Sequence, residues 1–163
     1  MLETLAGIPL FQDLSPAQLI LLGPLIESFS CPPETVIFEQ GEDPQYLYIL
    51  VKGSLVIKYK PYDGPEITIT RLRRGDVFGW SAVVGSKVYT SSTISITHVS
   101  TLRIKGRDLW MLVNEHPEVG RIILDRLASS VSSRWKNSHA QVHALLDEGM
   151  HRSKKEGVRK WLH

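Results

Sequence analysis

The sequence predicts a mainly β domain with flanking helices, built on a small double-stranded β-helix, or jelly roll. Three observations carry that reading. Residues 35–104 break into short β-branched and aromatic segments separated by glycine- and proline-marked turns. Residues 15–29 repeat apolar positions at helical spacing. From Pro117 to about Glu148 apolar positions recur every three or four residues, apart from a polar stretch around Ser138, with no further proline.

The N-terminal segment, residues 1–30, is assigned to helices. Residues 2–6 and 15–29 carry the pattern, and Ser15-Pro16 supplies an N-cap followed by proline at the first helical position. Leu19, Leu22, Leu25, Ile26 and Phe29 form the apolar face. Gly23-Pro24 interrupts it, so a kink or two short helices are expected.

Residues 31–104 are assigned to the jelly roll. Its strand candidates are TVIFEQ, YLYILVKG, SLVIKYK, ITITRL, TISITHV and STLRIK. Turn signals fall between them at Gly41-Glu42-Asp43-Pro44, Lys52-Gly53-Ser54, Tyr62-Asp63-Gly64-Pro65 and Arg74-Gly75-Asp76. Ile94, Ile96 and Val99 alternate with Ser95, Thr97 and His98, which predicts apolar side chains inward. Many short strands without intervening helices imply antiparallel sheets closed on themselves.

Residues 105–148 return to helix. Gly106-Arg107-Asp108 opens a short one with Leu109, Leu112 and Val113 inward, and His116-Pro117 separates it from a longer one. The longer stripe runs through Val119, Ile122, Ile123, Leu127, Val131, Trp135, Val142, Leu145 and Leu146. About 32 residues at ~1.5 Å each make a rod roughly 45 Å long, which overhangs so small a barrel. The expected partner is a second copy, through residues 117–148, with Leu127, Val131, Trp135, Val142 and Leu145 in the seam. The alternative is a rod that folds back on its own barrel.

Composition narrows the function classes. The 163 residues carry one cysteine, Cys31, so no internal disulfide or multi-cysteine zinc site forms, and a reducing cytoplasm is expected. No apolar run approaches membrane-spanning length, and the opening MLETLAGIPLF has no basic n-region. Residues 1–149 hold 14 basic and 16 acidic side chains, whereas 149–163 form a basic tail or hinge. The body is therefore no nucleic-acid surface. His139 and His143 stand four apart on a helix without a third ligand, and His98 stands alone, so no metal site is assigned. No nucleophile–base arrangement, carboxylate pair or phosphate loop is legible, which argues against an enzyme.

Several separate segments resemble the cyclic-nucleotide-binding domain, within the catabolite-activator-like and FNR-like regulator superfamily. Ile8-Pro9-Leu10-Phe11 with Leu14-Ser15-Pro16 looks like its entry segment, and Val36-Ile37-Phe38-Glu39-Gln40-Gly41-Glu42-Asp43 like its second strand and turn. Tyr46-Leu47-Tyr48-Ile49-Leu50 with Gly53 resembles its hairpin, and Gly75-Asp76-Val77-Phe78-Gly79 opens the phosphate-binding cassette. The resemblance spans about residues 5–148. It implies a ligand site formed by Phe78, Gly79, Trp80, Ser81, Ala82, Lys87, Thr90, Ser91 and Thr93, closed by Arg134 and Trp135 of the long helix.

The family's two charged anchors are absent. Trp80 stands where a glutamate usually grips the ribose, and Thr90 where an arginine usually pairs with the phosphate. A charge-assisted hydrogen bond contributes about 1.5–3 kcal/mol, so the resemblance implies weak cyclic AMP binding or none. Lys87 is either a substitute cation or a solvated loop lysine. Gly79 either bares N–H groups to an anion or turns a barrel corner. Trp135 either stacks on a ligand or packs in a dimer seam. The implied function is a ligand-sensing regulatory module for a cyclic nucleotide or another small anion. The alternatives are the sensor and dimerisation half of a DNA-binding regulator, its DNA domain missing from this chain, and a dimerising scaffold with a vestigial pocket.

Overall fold

Two adjacent strands organise the molecule by sending alternate side chains into two different cores. The computed structural model describes residues 5–130. Strands β3 (Tyr46–Lys52) and β8 (Val99–Lys105) pair antiparallel, Leu47 opposite Ile104 and Ile49 opposite Leu102. Leu47, Ile49, Leu102 and Ile104 enter a core shared with the helices. Tyr48, Leu50 and Val99, at the alternate positions, enter the barrel interior.

β1 (Ile26–Cys31) and β6 (Val77–Phe78) complete that sheet in the order β1-β8-β3-β6. A second antiparallel sheet orders β2 (Val36–Phe38), β7 (Ser92–Ser95), β4 (Leu55–Tyr59) and β5 (Ile67–Leu72) as β2-β7-β4-β5. Glycine turns join the strands: Gly41, Gly53 and Gly75 all take positive φ. The Asp76 carboxylate accepts the Arg73 N–H at 2.9 Å and closes the turn before β6. The expected jelly roll with flanking helices is thus present.

The N-terminal helix is shorter than its apolar pattern. Helix α1 (Pro16–Leu22) starts on a capping box in which Ser15 and Gln18 exchange backbone and side-chain bonds. Gly23–Leu25 tightens into a 3-10 turn, and Ile26–Cys31 is strand, not helix. Pro24 cannot donate to the helical ladder, whereas β8 offers six paired positions from Ile26–Ile104 to Cys31–Val99.

β7 also departs from expectation, because its polar residues face inward. Thr93 and Ser95 are buried, while Ile96 beyond the strand is exposed. Ser95 is retained inside by bonding: its hydroxyl donates to the Pro32 carbonyl at 2.7 Å and accepts the Thr35 N–H at 2.9 Å.

After β8 come α2's neighbour α3 (Gly106–Glu115) and α4, helical over residues 117–130; α2 itself (Ser81–Val84) lies earlier, behind β6. The described part of α4 folds back on its own chain. Val119, Ile123 and Leu127, spaced four apart, are fully buried in the helical core. Gly120 permits the approach, since a Cβ there would lie 2.7 Å from the Val113 Cα. Arg126 bonds the Pro9 carbonyl at 2.8 Å and pairs with Asp13. Leu127 therefore belongs to the intrachain core and not to a dimer seam. Val131, Trp135, Val142 and Leu145 lie outside the described residues.

Candidate functional site

The cassette begins where β6 ends. Phe78 is completely buried, its ring stacked on Tyr48 at 4.9 Å. Gly79 takes φ +83, and a Cβ there would lie 2.7 Å from the Tyr46 carbonyl oxygen. Glycine is thus required by the corner against β3. Trp80 then enters α2, and its half-buried indole packs against the helical core, away from the barrel interior. Ser81 is buried and Ala82 half-buried.

Helix α2 is held by α3. Gly106 abuts the Ala82 carbonyl so closely that a Cβ would lie 2.0 Å from its oxygen. The indole N–H of Trp110 donates to the Val83 carbonyl at 2.7 Å. Both acceptors sit in the helix's last turn, where carbonyls lack intrahelical donors.

The far arm of the cassette is fixed by Tyr89. Its amide donates to the Glu42 carbonyl at 2.8 Å, and its carbonyl accepts from Gly41 at 2.9 Å. Its ring stacks on Phe38 at 3.8 Å. Its hydroxyl donates to the Tyr46 carbonyl at 2.7 Å and accepts the Tyr46 amide at 3.2 Å. Burial pushes the phenol's pKa up to about 12, outweighing the Tyr46 backbone bond that opposes it.

The expected site residues divide by position. Lys87 and Thr90 are exposed, Ser91 is half-buried, and Thr93 is fully buried between Phe38 and Ile57. The Thr93 hydroxyl has no hydrogen-bond partner among the described residues. Within 78–93 Lys87 is the one charged side chain, and it points to solvent rather than into the barrel. Arg103 lies 4.0 Å from the centre of the Tyr46 ring and 4.8 Å from that of Phe29, but Glu27 already pairs with it at 3.1 Å. Phe78 and Thr93 thus meet Phe38 from opposite sheets, Gly79, Ser81 and Ala82 follow Phe78 at the corner, and Trp80 packs on the helical core. Arg134 and Trp135 lie outside the described residues, as do His139 and His143.

Sequence reasoning missed Tyr89, Phe38, Tyr46, Tyr48 and Trp110. Tyr46 and Tyr48 share one face of a strand by simple alternation, which was a visible signal. The Trp110–Val83 bond spans 27 positions and leaves no local trace.

The chain matches the cyclic nucleotide-binding domain over residues 29–116. It is 28% identical over 126 residues to the CRP-like cAMP-activated global transcriptional regulator of Mycobacterium tuberculosis, covering 77% of this chain and 56% of that protein. It is 30% identical over 120 residues to the cAMP-activated global transcriptional regulator CRP of Haemophilus influenzae, covering 70% of this chain and 50% of that one. The chain spans about half the length of the curated relatives it matches. Among solved structures it resembles a putative cyclic nucleotide-binding protein from Geobacter metallireducens, at TM-score 0.71 and 25% identity, over 82% of this chain and 96% of that one.

Proposed function

Because the chain belongs to the cyclic nucleotide-binding domain family, we propose that it is a ligand-sensing regulatory module rather than an enzyme. The observation that carries this reading is the tether between cassette and helices, Ala82 against Gly106 and Trp110 on Val83. A small ligand on the 78–93 segment shifts α2, and α2 cannot shift without moving α3. The output passes through residues 117–148, where a homodimer forms along Val131, Trp135, Val142 and Leu145. The module works in the cytoplasm, and among the described residues no helix is long and apolar enough to cross a membrane.

Cyclic AMP is a poor ligand in this reading. Trp80 has turned to the helical core and Thr90 to solvent, so neither replaces a charged anchor. Titration calorimetry with cyclic AMP and cyclic GMP tests it. The expected dissociation constant is weaker than ~10 µM, about −7 kcal/mol. A tighter constant overturns the claim.

A second reading, a dimerising scaffold with a vestigial pocket, draws on the aromatic filling of the barrel, Phe38 on Tyr89 and Tyr48 on Phe78. A thermal-shift panel that stays flat for nucleotides, nucleosides and small anions favours it. The relatives' names support a third, the sensor half of a transcription regulator that meets DNA through a further domain. The reading frame after residue 163 tests that.

A further inference from the structure

Four exposed cations meet at the barrel end opposite the cassette corner. Lys52 ends β3, and Arg71, Arg73 and Arg74 lie at the end of β5 and in the turn beyond. Hydrogen bonds hold these segments together. The Arg71 guanidinium donates to the Ser54 hydroxyl at 3.1 Å, beside Lys52. The Gly75 amide donates to the Leu50 carbonyl at 2.7 Å, and the Asp76 carbonyl accepts from Leu50 at 2.9 Å. None of the four forms an ion pair among the described residues. The adjacent carboxylate, Asp76, is engaged with the Arg73 amide.

The same place carries a free sheet edge. β5 is outermost in the order β2-β7-β4-β5 and pairs on one side only, with β4. Its six residues leave a row of main-chain groups open to another extended chain. We infer that this edge, with Lys52, Arg71, Arg73 and Arg74 at its end, docks an acidic peptide segment that adds as a strand beside β5. Main-chain bonds along β5 supply affinity, and the four cations select carboxylates and set the register. Duplex nucleic acid fits less well, because it needs a basic stripe along the surface, and residues 1–149 hold more acidic than basic side chains. Lys52 lies about 20 Å from Tyr46, the length of β3, so the cations stand at the end of the sheet away from the Gly79 corner.

The test uses the full chain and a fluorescein-labelled peptide of alternating glutamate and valine, with its lysine–valine counterpart as control. Anisotropy is expected to show binding of the acidic peptide alone, weakening about tenfold from about 50 to about 300 mM salt. Arg71→Glu with Arg73→Glu and Arg74→Glu is expected to weaken it about tenfold or more. Lys52→Glu with Arg74→Glu, at the last residue of β3 and in the turn after β5, gives the same direction should the triple variant misfold. Amide exchange is expected to slow across Ile67–Leu72 when peptide is bound. Equal binding of both peptides, unchanged affinity in the folded variants, or protection away from β5 overturns the proposal. So does complete displacement of the peptide by duplex DNA at equal phosphate-to-carboxylate charge.

Discussion

Thr93 buries a hydroxyl that finds no partner among the described residues, between an aromatic ring and an isoleucine on neighbouring strands. Such an orphan costs about 1–3 kcal/mol of desolvation that no partner returns. Thr93→Val keeps the shape and removes the orphan, so chemical denaturation should show equal or greater stability, by up to about 1 kcal/mol. A clear loss would mean that the hydroxyl is bonded in solution. Tyr89 makes the opposite case, a buried phenol whose hydroxyl bridges both backbone groups of Tyr46. Its pKa lies at about 12 in the folded chain against 10.0 unfolded. Its contribution is therefore complete below pH 10 and is lost as pH rises toward 12, at about 1.4 kcal/mol per pH unit. Melts across that window should fall steeply in the parent and less steeply in Tyr89→Phe. Tyr48, raised by burial in the same way, keeps part of the slope in the variant.

Between elements, the decisive contact is α2 on α3. Gly106→Ala would drive a Cβ to 2.0 Å from a backbone oxygen, which no rotamer relieves. The expected cost is about 1–3 kcal/mol or more, with tryptophan fluorescence reporting the displaced Trp110. Trp110→Phe removes the indole donor and part of a half-exposed ring, and the loss should be nearer about 1 kcal/mol. Sequence pattern carried β2 to β5, β7 and β8, because β-branched runs bounded by Gly41, Gly53 and Gly75 have a local cause; the two-residue β6 is too short to show one. It misread Ile26–Phe29, whose helical spacing yields to six-residue pairing with β8. It also read β7 inside out, since the bonds that keep Ser95 buried come from Pro32 and Thr35, some 60 residues away. The cassette's outline was legible from Gly75-Asp76-Val77-Phe78-Gly79. Its fastening by Tyr89 and Trp110 was not, because those bonds join residues distant in sequence.

For the whole molecule, self-association is the property most open to measurement. Val119, Ile123 and Leu127 are spent within one chain, so the dimer proposed above rests on Val131, Trp135, Val142 and Leu145. Sedimentation at micromolar concentration is expected to give about twice the 18.4 kDa chain mass, and Trp135→Ala to lower it. A monomer insensitive to that substitution would remove the dimer from the proposed function. The sheet that holds β3 and β8 has a further consequence. Tyr48 and Leu50 face one interior while Leu47 and Ile49 face the other, along a single strand. That sheet is a party wall, and neither room stands once it is taken down. Barrel and helical layer accordingly melt in one step, with calorimetric and van't Hoff enthalpies equal. Amides of β3 and β8 exchange last, and pressure applied to either interior is felt through the wall in the other.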